Sequence, residues 1–152
     1  MLTQADLDAQ ARIIGSLRET WGNDLKIIGE ENESEASPKH DGMLLRKDIL
    51  HEVAPTIEDE EIPLDELCLF VDPLDGTREF VEGRLQNVAS LIGIARNNRT
   101  LAGVVGLPFP EGDLDVVIHY AIADQKGSAG SWPSAISDKS KTSDHDGITI
   151  LT

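Results

Sequence analysis

Leu67-Cys68-Leu69-Phe70-Val71-Asp72-Pro73-Leu74-Asp75-Gly76-Thr77-Arg78-Glu79-Phe80 opens with five consecutive apolar residues and then turns abruptly polar. So short an apolar run suits a strand buried on both faces better than a helix. Residues 67–71 are therefore expected inside a sheet. Downstream, Val88 to Ala95 and Thr100 to Leu107 flank Arg96-Asn97-Asn98-Arg99, a hairpin signal. A connection that short forces antiparallel pairing. Leu114 to Tyr120 follows Pro110-Glu111-Gly112-Asp113 and reads as another strand. Upstream, Leu25 to Gly29 is a short strand candidate. Before it, Leu7, Ala11, Ile14, Leu17 and Trp21 form one stripe of a helix spanning Thr3 to Trp21. Thr3 can cap that helix, and Gly22-Asn23 supplies its stop. The expectation is an α+β fold: an antiparallel sheet with packed helices.

The chain has 152 residues, which is one domain's worth. Its formal charge of −15 argues against long-range attraction to nucleic-acid polymers or an anionic membrane. A single cysteine, Cys68, excludes an intrachain disulfide and a zinc-finger pattern. That suits the cytoplasm or another reducing compartment. No apolar run is long enough to span a bilayer, and Asp6 and Asp8 stand where a signal peptide would be basic. Between about 33 and 66, eleven acidic residues face three basic ones. Like-charge repulsion makes this stretch an acidic surface insert, with a short helix expected around Met43 to Val53. Residues 125–147 show no period, Ile148 to Leu151 reads as one more strand, and no internal repeat is present.

Chemistry concentrates directly after the apolar run. Asp72 and Asp75, three residues apart in a turn stiffened by Pro73, can converge on a hard cation, with a backbone carbonyl between them. Magnesium favours such an all-oxygen setting. Gly76 permits close backbone approach, and the N–H groups of Gly76 and Thr77 can face a phosphate. An EF-hand loop fails here, because Leu74 stands where a ligand is needed and the glycine comes one position early. A haloacid-dehalogenase-type motif fails too, since its nucleophile position is Pro73. The bland reading is an acidic turn without a ligand. Asp6 lies three residues after Thr3, and the spacing alone favours reading it as half of a capping box. Glu30, taken alone, can be a solvated strand end.

Asp72 to Thr77 resembles the signature of the inositol-monophosphatase-like superfamily of magnesium-dependent, lithium-sensitive phosphatases. Thr3-Gln4-Ala5-Asp6, Ile27 to Glu31, Val71 to Gly83, and Ala102-Gly103-Val104 before Pro108 follow that superfamily's order. Arg78-Glu79-Phe80 with Gly83 is more similar to its 3'(2'),5'-bisphosphate nucleotidase branch. The resemblance implies a layered α/β sandwich, of which 1–152 is the amino-terminal metal-binding half. It implies Glu30, Asp72, Asp75 and the Leu74 carbonyl as ligands of two or more Mg2+ ions in the complete enzyme. Asp6 and Thr77 would activate the attacking water, with Gly76 and Thr77 at the substrate phosphate.

The implied reaction removes the 3'-phosphate of 3'-phosphoadenosine 5'-phosphate to give AMP. The alternatives are inositol phosphate hydrolysis or a non-catalytic remnant. The superfamily's carboxy-terminal domain carries a Trp-Asp motif, whereas Trp21 precedes Gly22 and Trp132 precedes Pro133. The expectation is therefore a fragment, inactive as it stands, that exposes a truncated face able to self-associate. Its expected partner is a small phosphorylated nucleotide. His40, His51, His119 and His145 show no ligand spacing, and Cys68, Trp21 and Trp132 read as packing residues.

Overall fold

The computed structural model describes residues 2–31, 61–110, 116–123 and 130–132. The expected helix around 43–53 and the expected strand at 148–151 lie outside these residues. Helix α1 spans Gln4–Trp21 and strand β1 Lys26–Gly29. A single 3-10 turn, Leu64–Glu66, leads into β2, Leu67–Asp75. A short helix α2, Thr77–Val81, and a second 3-10 turn, Leu85–Asn87, precede β3, Ala89–Arg96. Strands β4, Arg99–Leu107, β5, Val117–Ile122, and β6, Gly130–Trp132, complete one six-stranded sheet in the order β1-β2-β3-β4-β5-β6.

The α+β fold class stands, and the strands from β2 onward pair antiparallel. Asn97 and Asn98 both take positive φ at the β3–β4 turn, a conformation asparagine tolerates. One pairing departs from expectation: β1 runs parallel to β2, with Gly29 opposite Val71. Hairpins dictate antiparallel neighbours, but the stretch between 29 and 67 is long enough to return the chain in either direction. Strand β2 also continues past the expected exit, through an irregularity between Asp72 and Asp75. Pro73 fits there because a bulge relieves it of donating to the ladder. The Pro73 carbonyl is still used, accepting from the Ser90 hydroxyl at 2.8 Å.

The core lies between α1 and one face of the sheet. Leu17, Leu25, Leu69 and Val71 are buried there, with Ile13, Ile27, Leu64, Leu67 and Ile94 packed around them. Strand β2 is thus buried on one face rather than two. Phe70 points the other way and is 48% exposed, beside Ile28 at 44%. Among the described residues α1 is the main element packed on the sheet, and it covers the face opposite these side chains. Trp21, expected as packing, is also largely exposed at the end of α1. Cys68 is partly buried.

Candidate active site

The parallel pairing of β1 and β2 determines where the acidic groups meet. Because Gly29 lies opposite Val71, the residues that follow, Glu30 just past β1 and Asp72 still within β2, are carried to the same end of the pair. The Glu30 N–H continues the ladder, donating to the Val71 carbonyl at 2.9 Å. Had β1 run the other way, Glu30 would emerge at the far end of β2. The Glu30 carboxyl instead hydrogen-bonds that of Asp72, which holds its pKa above the ordinary carboxylate value; burial and the charges of Asp72, Glu31 and Asp6 act in the same direction. Asp72 is further oriented by the Leu74 N–H, which donates to Oδ1 at 3.2 Å. An open groove of about 270 Å³ borders the pair, lined also by Ile28, Phe70, Leu91 and Gly93.

Asp6 joins the same end from α1. It is 1% exposed, and hydrogen-bond donors surround it. Its Oδ2 accepts from the Thr3 N–H at 2.6 Å and the Thr3 hydroxyl at 2.5 Å, in a capping box. Its Oδ1 accepts from the Thr77 hydroxyl at 3.1 Å, across 71 positions of sequence. Asp6 thus makes both contacts, one per oxygen: the capping box through Oδ2 and the long-range bond to Thr77 through Oδ1. Three donors offset the cost of burying a carboxylate.

Thr77 opens α2, and Gly76 before it adopts φ +86°, in the left-handed region. A Cβ on Gly76 would lie 2.7 Å from the Asn87 carbonyl oxygen, so glycine is required twice over. The Thr77 hydroxyl also faces the Leu74 carbonyl at 3.2 Å. Its one proton is thus shared between two acceptors, and its lone pairs stay available to a third group.

The expected residues therefore come together in two pairs, Asp6 with Thr77 and Glu30 with Asp72. Asp75 stands apart: it is exposed at the end of β2, opposite Ala89. Among the described residues no group of three or more His, Cys, Asp or Glu is gathered to hold a metal ion. Two carboxylates side by side still suit Mg2+, which keeps much of its water and commonly takes one or two carboxylates plus substrate phosphate.

Sequence reasoning passed over Gln10, which is as buried as Asp6. Its signal was present: 6, 10, 14 and 17 share one helix face, and two of those four residues are polar. It also passed over the brace behind α2. Glu79 accepts from Arg84 Nε at 2.5 Å and Nη2 at 2.8 Å, and from Asn87 Nδ2 at 3.1 Å. These bonds hold the Glu79 carboxyl down at about 2. His119 pairs with Ser131 at 2.6 Å, across β5 and β6 and away from this site.

Comparison with known proteins gives the family and the fold. The model of the inositol monophosphatase family matches residues 1–145. The chain is 43% identical over 112 residues to a 3'(2'),5'-bisphosphate nucleotidase 1 of Dictyostelium discoideum, covering 71% of this chain and 35% of that protein. Its fold is similar to that of the extragenic suppressor protein suhB from Bartonella henselae, with a TM-score of 0.56 at 20% identity over 88% of this chain and 39% of the other. It is also similar to an IMPase/NADP phosphatase complexed with Mg2+ and phosphate, with a TM-score of 0.50 at 14% identity over 82% of this chain and 35% of the other. The chain spans about 35% of the length of the curated nucleotidases it matches.

Proposed function

We propose, since this chain belongs to the inositol monophosphatase family, that it carries the water-activating half of a Mg2+-dependent phosphomonoesterase acting on 3'-phosphoadenosine 5'-phosphate. The observation that carries this reading is the Thr77–Asp6 hydrogen bond beside the Glu30–Asp72 pair. A buried carboxylate that fixes a hydroxyl can orient a water on that hydroxyl and accept its proton as attack on phosphorus begins. Asp6 is preset for this, because Thr3 occupies its other oxygen. Glu30 and Asp72 would hold Mg2+, which when bound lowers the pKa of water and screens the phosphate charge. Asp75, the Leu74 carbonyl and the phosphate contacts of Gly76 and Thr77 belong to the same proposal. The nucleotide substrate is supported by the 43% identity to a bisphosphate nucleotidase.

The test is a chimaera in which this chain replaces the matching segment of the Dictyostelium discoideum relative. Phosphate release with Mg2+ is measured on 3'-phosphoadenosine 5'-phosphate and on inositol 1-phosphate. Preferred turnover of the nucleotide is expected, with loss in Asp72→Asn. Preference for the inositol ester overturns the substrate assignment, and unimpaired turnover by Asp72→Asn overturns the site.

A further inference from the structure

Gln10 is 1% exposed, and both ends of its amide are used on one residue. Oε1 accepts from the Glu31 N–H at 3.0 Å, and Nε2 donates to the Glu31 carbonyl at 2.8 Å. A side chain that closes both backbone groups of a residue fixes that peptide's position and its rotation. The residue so held directly follows Glu30, at the point where the chain leaves β1. Approach is close: a Cβ on Gly29 would lie 2.4 Å from Gln10 Oε1, so only glycine admits the amide. Asp6 lies one helical turn before Gln10 on the same face of α1.

We propose that Gln10 is a positioning residue that aims the Glu30 carboxylate at Asp72, so that α1 sets both pairs of the site at once. Asp6 fixes Thr77 from one turn of the helix, and Gln10 fixes Glu30 from the next. This rests on the reading of Glu30 and Asp72 as cation ligands. Without the clamp, the strand exit would be free to rotate and the two carboxylates would no longer face one point. Groups that orient metal ligands from behind typically change affinity by about 10–100-fold when removed.

The experiment uses the 152-residue chain with Mn2+ as the probe. Affinity is read by electron paramagnetic resonance, and amide exchange at Glu31 is followed by NMR, at a temperature where every variant is folded. Gln10→Met removes both hydrogen bonds at nearly constant volume. Gly29→Ala keeps Gln10 and drives a methyl group into its amide. Each is expected to deprotect the Glu31 amide and weaken Mn2+ binding about tenfold or more, while Leu69 and Val71 amides stay protected. Should Gln10→Met fail to fold, Gly29→Ala answers the same question. Wild-type Mn2+ affinity in the folded variants, with Asp72→Asn still defective, overturns the positioning role alone. Equal binding by wild type and Asp72→Asn overturns the ligand reading and the proposal with it.

Discussion

Asp6 divides its two oxygens between a local and a distant task. Oδ2 closes the first turn of α1 on Thr3, and Oδ1 reaches Thr77. Thr77→Val would leave Oδ1 buried without a donor, at a cost of roughly 1–3 kcal/mol. Thr77→Ser should recover most of it, and urea unfolding of the two variants measures the difference. The sequence made Asp6, Glu30, Asp72 and Thr77 legible as candidates through spacing and resemblance. It could not decide the role of Asp6, because a capping box and a catalytic carboxylate carry the same residues. Gln10 escaped because its place on the face of Asp6, Ile14 and Leu17 signals burial but not a partner; only its contact with Glu31 shows its use.

The elements show the same limit. Helix α1 and strands β3 and β4 were readable from periodicity and from the Asn97-Asn98 turn, since local chemistry determines them. The direction of β1 was not readable, because no local signal says how a chain returns after a long excursion. That direction nevertheless brings Glu30 to Asp72. At α2, Gly76→Ala should cost on the order of 1–3 kcal/mol, from the left-handed backbone and the 2.7 Å approach to Asn87, read as a fall in Tm. The Glu79–Arg84 pair behind α2 is exposed and screened by salt, so its contribution is modest. Glu79 titrates at about 2 in the folded chain, against an ordinary value of 4.5. Its stabilising contribution is therefore complete above pH 4.5 and disappears as pH falls towards 2. The Tm gap between wild type and Glu79→Gln should shrink over that window, and a gap that widens on acidification would refute the assignment.

Across the whole molecule, the sheet has one face against α1 and another carrying Ile28, Phe70 and Val105, all more than a third exposed. Apolar groups grouped in this way favour association. Sedimentation velocity should show concentration-dependent self-association of the chain, reduced by Phe70→Lys; a monomer at all concentrations would contradict it. At the end of the sheet where Asp6 meets Thr77, the proposed function requires the two to act as one unit on water. A double-mutant cycle of Asp6→Asn and Thr77→Val, read as phosphate release by the chimaera, tests it most directly. Each single change should lower turnover by about 10²–10⁴-fold, and the double variant should fall no further than the worse single one. Losses that multiply, or near-normal turnover in either single variant, would contradict the account.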